Sequence, residues 1–104
     1  MFEAVRATGR LAIGVDADQA DEAPGHVLTS MLKRVDVAVF DTARAVVEGH
    51  FAGGVRSLGL AEDGLGYVDD DHNRALLPAG ARDKAGDLRR RIVTGEIRVP
   101  TERE

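Results

Sequence analysis

Two aspartates and one lysine are the side chains of this sequence whose types and spacing best suit ligand chemistry. Asp16 and Asp18 come just after a short apolar stretch at residues 11–13, and Lys33 follows a second apolar stretch that begins at Val27. Ionised carboxylates accept strong hydrogen bonds from hydroxyl groups, and an ammonium group donates them. The pattern therefore predicts a site for a hydroxyl-rich ligand such as a sugar.

Each of these side chains also has a purely structural interpretation. Aspartates often cap turns, and most surface lysines are simply solvated. We expect Lys33 in the first turn of a helix, where a cation opposes the helix macrodipole. That unfavourable position is easier to understand if an anionic or hydroxyl-rich group lies beside the lysine. On the residues alone, the structural and the ligand-binding interpretations both stay open.

The elements that must position these residues alternate between strand and helix. The apolar stretch at 11–13 predicts a strand that ends at glycine and acid, and open α/β sheets bind ligands at the carboxyl ends of their strands. Val27 and Leu28 predict a brief second strand, with Thr29 or Ser30 as the N-cap of a helix. The sequence therefore predicts an α/β fold with Asp16 at a strand end.

The helix that follows has a clear apolar stripe and ends at Gly49. Its members recur at three- and four-residue steps, and further apolar residues predict that the helix is covered on more than one side. The stripe consists of Leu32, Val35, Val39, Ala43 and Val46.

The remaining elements are predicted from local signals. The first helix of the chain ends at Gly9, and a further helix runs over residues 81–94 and stops at Gly95. The Asp63 and Gly64 pair between residues 55–60 and 65–68 predicts a β-hairpin. Alternating residues at 97–99 predict a closing strand.

Several other chemistries are disfavoured. The acidic run at 69–71 with His72 could hold a divalent cation, but it lacks the glycine and the distal glutamate of a calcium loop, which favours a solvated loop. The sequence has no cysteine, no nucleophile elbow and no phosphate or dinucleotide loop. We predict no catalytic residue, no metal and no cofactor, so the protein is not expected to be an enzyme.

Composition and the lengths of the apolar runs argue against two further classes of protein, those that bind nucleic acids and those that span membranes. A formal net charge of -4 over 104 residues argues against a nucleic-acid-binding surface, which needs a dominant basic face. Apolar runs are too short to span a bilayer, and residues 1–10 show no apolar core of an export signal. We expect one folded domain without a nucleic-acid partner and without a signal peptide in this sequence.

Four ordered segments carry a resemblance to a known family. They are residues 13–19, 27–40, 49–54 leading to 58–60, and 92–100. Together they resemble the C-terminal part of the basic membrane protein (BMP) family, the purine-nucleoside-binding lipoproteins that serve as solute receptors of ABC importers. The resemblance spans nearly the whole chain.

The resemblance implies a type I periplasmic-binding-protein fold, in which two α/β lobes close on a purine nucleoside. It further implies that acids and a lysine hold the ribose hydroxyls. The acid of the family's Gly-Val-Asp motif falls on Asp16, and the lysine after Thr-Ser falls on Lys33. Asp18, kept as a candidate ligand residue, and Gln19 also match the motif and are assigned to support of the turn. Implied partners are a nucleoside-like small molecule and, through the full-length family protein, a transporter permease at an extracytoplasmic membrane location.

This sequence also departs from the family, whose members have a lipidated export signal and a complete N-terminal lobe. We therefore expect residues 1–104 to be the C-terminal portion of a solute-binding domain, binding weakly alone. Exposed edges of its sheet predict self-association. The alternative function is a ligand-sensing or interaction module of a regulatory protein, because the same fold serves as the sensor half of transcription regulators.

Overall fold

The computed structural model describes residues 1–100, which form a three-stranded mixed sheet with helices before, between and after its strands. The elements are α1 (Phe2–Thr8), β1 (Ala12–Asp16), a 3-10 turn (Ala20–Glu22), β2 (Val27–Lys33), α2 (Val35–Val47), β3 (Leu65–Tyr67), α3 (Asp71–Arg74) and α4 (Ala81–Val93).

Strand β2 is the centre of the sheet. It pairs in parallel with β1, so that Asp16 lies opposite Leu32, and antiparallel with β3, so that Lys33 lies opposite Leu65. The extensive contacts between elements of the described chain all involve β2, which also touches the 3-10 turn and α3. Because β1 and β2 run in parallel, their carboxyl ends meet at one edge of the sheet.

The predicted start of the second helix is wrong. Thr29 and Ser30 lie inside β2, opposite Ile13 and Gly14 of β1, and the helix begins only at Val35. Pairing with two neighbouring strands overrides the capping preference of these two hydroxyl residues. Lys33 is therefore the last residue of a strand, and the macrodipole argument made for it does not apply.

The predicted hairpin is also wrong in its first strand. Residues 55–60 are not a strand, although the chain does turn at residues 60–63, and the Gly64 amide donates to the carbonyl of Gly59 at 2.9 Å. The second predicted strand exists as β3 but pairs with residues 31–33 of β2. Residues 97–99 form no strand.

The helix ends are largely as predicted. Gly9 follows α1 with a φ of 64°, and Gly95 lies just after α4 with a φ of 80°. Only glycine adopts such angles without strain, so both positions act as local stops.

The buried core is small and lies around β2. Its apolar members are Ala12, Ala23, Val27 and Val68, and its polar members are Ser30 and Asn73. The radius of gyration is 16.7 Å, against about 13 Å for a compact domain of this length.

The apolar stripe of α2 does not join this core. Three of its members, Val35, Val39 and Val46, are more than half exposed, so the expectation that this helix is covered is wrong for the described chain. The chain is thus an extended structure with a dense centre.

Candidate functional site

Asp16 and Lys33 form an ion pair at the carboxyl edge of the sheet. The Lys33 Nζ and an Asp16 carboxylate oxygen are 2.6 Å apart, and both side chains are more than half exposed. The structure therefore brings together the two residues that the sequence singled out first. An exposed pair of this kind contributes little to folding stability, so both groups are available to a ligand.

Backbone geometry at the end of β1 directs the carboxylate. Asp16 has a φ of 78°, in the left-handed region that few residues other than glycine adopt, and aspartate tolerates it better than most. The chain therefore leaves the sheet abruptly at this residue. Its side chain projects at the edge where β2 ends with Lys33.

A hydrogen-bonded bridge to a buried serine holds the turn that follows. The amide of Val15 donates to the side-chain oxygen of Gln19 at 2.9 Å, and the amide of Gln19 donates to the Ser30 hydroxyl oxygen at 3.0 Å. Ser30 is fully buried in β2. We call these contacts the Gln19–Ser30 bridge, and they tie the Asp16 turn to the neighbouring strand.

Gly14 is required by the same bridge. A Cβ atom at this position would lie 2.5 Å from the Ser30 hydroxyl oxygen and 2.8 Å from the Gln19 side-chain oxygen. Any larger residue must displace one of the two bridging side chains. The supporting role that the resemblance gave to Gln19 thus has a direct structural basis, whereas Ser30 was expected only as a helix cap.

Asp18 has a local partner of its own. Its carboxylate accepts a hydrogen bond from the amide of Ala20 at 3.0 Å, at the start of the 3-10 turn. The side chain is exposed and lies two residues from Asp16. Its assignment as a ligand residue stays a prediction.

A second buried polar cluster supports β2 from the other side. Asn73 donates from its side-chain nitrogen to the carbonyl of Val68 at 2.6 Å and accepts from the amide of Asp70 at 3.0 Å. The Thr29 hydroxyl donates to the same Val68 carbonyl at 2.7 Å. Sequence analysis missed Asn73, although an acid followed three residues later by an amide is a capping-box spacing that could have signalled it.

The acidic run at 69–71 is used for structure. Asp70 caps α3 by accepting from the amide of His72, and Asp69 pairs with Arg82 at 2.8 Å. Within residues 1–100, no three acidic, histidine or cysteine side chains are grouped closely enough to hold a metal ion.

Electrostatics around His72 are dominated by acids. The pKa of His72 is raised, first by its hydrogen bond to Asp70 and by that carboxylate's charge, and further by the charges of Asp21 and Asp18. The same hydrogen bond lowers the pKa of Asp70. These carboxylates give the surface around His72 a negative character.

The fold and the carboxyl edge of the sheet, where Asp16 and Lys33 lie, define a class of protein. A sheet with parallel strands whose carboxyl ends carry an exposed acid and an exposed lysine is typical of ligand-binding α/β proteins. The chain belongs to the family described as ABC transporter substrate-binding protein PnrA-like, which it matches over residues 1–103.

Relatives from several organisms agree with this assignment. An uncharacterised lipoprotein of Pyrococcus abyssi is 48% identical over 77 residues, which cover 68% of this chain and 19% of the relative. Basic membrane protein D of Borreliella burgdorferi is 33% identical over 90 residues, covering 85% of this chain and 26% of the relative. The chain thus spans about a fifth to a quarter of the length of these proteins.

Solved structures confirm the α/β fold. A solute-binding protein of an ABC transporter system from Aeropyrum pernix is 34% identical with a TM-score of 0.67, over 98% of this chain and 36% of that one. A transcriptional activator of the comK gene from Bacillus halodurans is 23% identical with a TM-score of 0.81, over 92% of this chain and 33% of that one. At that identity the second likeness concerns the fold alone. In residues 1–100, every helix is too short or too polar to cross a membrane.

Proposed function

We propose that this chain supplies part of the solute site of an ABC importer's substrate-binding protein, as the C-terminal portion of its binding domain, and that the solute is nucleoside-like. The observation that carries the proposal is the 2.6 Å pair of Asp16 and Lys33 at the carboxyl edge of the sheet. Family membership supports the transport role, and the relatives named as lipoproteins support an extracytoplasmic location at the membrane.

The chemistry of the pair suits a sugar with neighbouring hydroxyl groups. One hydroxyl donates to the Asp16 carboxylate while its neighbour accepts from the Lys33 ammonium group, so a single diol satisfies both ions. Hydrogen bonds to charged groups are each worth about 1.5 to 3 kcal/mol. A ribose is therefore a fitting ligand group.

The local charge favours an uncharged solute. Asp16, Asp18 and Lys33 together carry one net negative charge. A phosphate at this edge would face repulsion from the acids. We therefore expect nucleosides to bind in preference to nucleotides.

The experiment is a titration of the purified chain with adenosine, followed by backbone amide signals in NMR. Adenosine should shift the signals around Asp16 and Lys33, while adenosine 5′-monophosphate should bind more weakly. The variant Asp16→Asn should weaken adenosine binding by about 10- to 100-fold. The control Asp41→Asn alters another aspartate that is paired with a basic residue, Arg44, and should leave binding unchanged.

Two results would contradict the proposal: adenosine shifts confined to other parts of the chain, or equal binding by Asp16→Asn and the parent. The alternative function, a sensing module of a regulatory protein, remains a prediction. Solute uptake by cells that carry the importer distinguishes the two functions. Asp16→Asn should lower the uptake rate if the chain belongs to the importer's substrate-binding protein, and should leave the rate unchanged if the chain belongs to a regulatory protein.

A further inference from the structure

Gln19 closes the turn by which the chain leaves β1. Its side-chain oxygen accepts from the Val15 amide at 2.9 Å, and its own amide donates to the Ser30 hydroxyl oxygen at 3.0 Å. The segment is therefore tied back to β1 and across to β2 through the same residue. Asp16, the proposed ligand residue, lies inside this closed segment, directly after Val15.

A shift in the strand pairing places Ser30 where the bridge needs it. The register between β1 and β2 changes by one residue after Ala12, so that the pairing passes over Leu28 and brings Ser30 opposite Gly14. A change of one residue moves the side chains of a strand to the other face of the sheet. Without it, Thr29 would lie opposite Gly14. Such irregularities are rare between parallel strands, and they often serve to direct a side chain.

Gly14 supplies the space that the bridge occupies. A Cβ atom there would lie 2.5 Å from the Ser30 hydroxyl oxygen and 2.8 Å from the Gln19 side-chain oxygen. The changed register, the missing side chain and the glutamine thus converge on one contact. Each of these features is useful only in the presence of the other two.

The bridge restrains a residue in an unfavourable backbone conformation. Asp16 has a φ of 78°, and a residue other than glycine stays in this region only where its surroundings impose it. Rotation about φ turns the Cα–Cβ bond relative to the preceding strand. The position of the Asp16 carboxylate, 2.6 Å from the Lys33 Nζ, therefore depends on whatever holds this φ.

We propose that Gln19 is a positioning residue of the solute site. Through the Gln19–Ser30 bridge it holds Asp16 in the left-handed conformation, with the carboxylate beside Lys33, and so sets the affinity for the solute. This role rests on the proposed function for its ligand, and it adds a residue that acts through Asp16 rather than on the solute. When only a fraction of the molecules is competent to bind, the apparent dissociation constant rises by the inverse of that fraction.

The first experiment compares two substitutions of Gln19 in the 104-residue chain by titration with adenosine. Gln19→Met keeps the size of the side chain but lacks the oxygen, and should raise the dissociation constant by about tenfold as Asp16 leaves its restrained conformation. The matched control Gln19→Glu keeps an oxygen that accepts from the Val15 amide, and should bind within about threefold of the parent.

A double-mutant cycle separates positioning from a general structural role. In an Asp16→Asn background the carboxylate that Gln19 positions is absent, so Gln19→Met should have little further effect on adenosine binding. A residue that only maintained the fold would weaken binding by the same factor in both backgrounds. Urea denaturation of each variant shows that the titrated molecules are folded.

The third measurement needs no ligand. A positive φ brings the amide and α protons of a residue close together, so Asp16 of the parent should give a strong nuclear Overhauser signal between them. That signal should weaken in Gln19→Met and persist in Gln19→Glu. A parent that does not bind adenosine would contradict the proposed function, while the Asp16 signal would still decide whether Gln19 holds this residue.

Three outcomes would overturn the positioning role: Gln19→Met that binds adenosine as tightly as the parent, the same loss of affinity in the Asp16→Asn background, or an unchanged Asp16 signal in Gln19→Met. If Gln19→Met fails to fold, Ser30→Ala takes its place in all three measurements, because it removes the other end of the bridge.

Discussion

The sheet with its flanking turns and helix α2 are built on opposite principles. In and beside the sheet, two polar residues, Ser30 and Asn73, are buried and each is fixed by hydrogen bonds of 2.6 to 3.0 Å. Helix α2 has no buried residue, and its side-chain contacts are local ones such as the pair of Asp41 and Arg44. The protein thus uses its few buried polar groups to hold the sheet and the turns that flank it.

This difference predicts how substitutions behave. A buried polar group that loses its partner costs free energy, whereas an exposed residue has water as an alternative. The regions with few buried contacts are also those that open most readily. Equivalent chemical changes should therefore be costly in and beside the sheet and nearly neutral on α2.

The largest effect is expected at Asn73. Asn73→Ala leaves the carbonyl of Val68 and the amide of Asp70 without this partner, and should lower the free energy of unfolding by about 3 kcal/mol. Urea denaturation measures this loss of unfolding free energy. The neighbouring Arg74→Ala removes only an exposed ion pair with Asp71 and should change stability by less than about 0.5 kcal/mol. Similar losses in both variants would contradict the importance of the buried cluster.

Removal of one hydroxyl in each region compares them directly. Ser30→Ala takes the acceptor from the amide of Gln19 and should cost about 2 kcal/mol, with faster hydrogen exchange at that amide. Thr42→Ala removes a hydroxyl that bonds only the Ala38 carbonyl on α2, and should cost less than about 0.5 kcal/mol. Equal costs would remove the distinction between the regions.

Crowding at Gly14 offers a related test by a double-mutant cycle. Gly14→Ala places a Cβ 2.5 Å from the Ser30 hydroxyl oxygen and should cost about 1 to 3 kcal/mol of stability. The cost should be smaller in a Ser30→Ala background, because that substitution removes the nearest clashing atom. Additive costs would show that the two residues do not meet in solution.

The smallest effects are opposite pH dependences of the two regions. On α2, the hydrogen bond from Arg34 lowers the pKa of Asp36 to about 2 from its ordinary 3.8. This stabilisation is complete above pH 3.8 and is lost as pH falls towards 2. At the start of α3, beside the sheet, Asp70 raises the pKa of His72 above 6.5. That stabilisation is present below pH 6.5 and is lost as pH rises through the raised pKa.

NMR titration of the His72 ring tests the second half of this prediction. Asp70→Asn should lower the pKa of His72 towards 6.5, since the main cause of the elevation is removed. An unchanged pKa would show that other carboxylates dominate the electric field at His72.

Sequence reasoning singled out Asp16 and Lys33, which the structure brings together, because their signal is local. An apolar strand that ends at glycine and acid places Asp16 at a strand end, and a second apolar run places Lys33 nearby whichever element it belongs to. The helix stops at Gly9 and Gly95 were likewise predictable, since each depends on one residue's backbone freedom.

The errors came from choices that only non-local pairing decides. Thr29 and Ser30 suit a helix cap as well as a strand, and pairing with β1 and β3 selects the strand. The hairpin signal at Asp63 and Gly64 correctly marked a turn, but β2 was available as the partner of β3. Local preferences rank such alternatives weakly because their energies are small beside those of strand pairing and burial.

The most direct test of the central claim uses the two lysines of the chain, Lys33 and Lys84. With lysine labelled at Cε, NMR should show two signals, one from Lys33 at the carboxyl edge of the sheet and one from Lys84 on helix α4. We predict that adenosine shifts the Lys33 signal, leaves the Lys84 signal in place, and loses its effect in Asp16→Asn. Equal shifts of both signals, or a Lys33 signal that adenosine does not move, would contradict a ligand site built on Asp16 and Lys33.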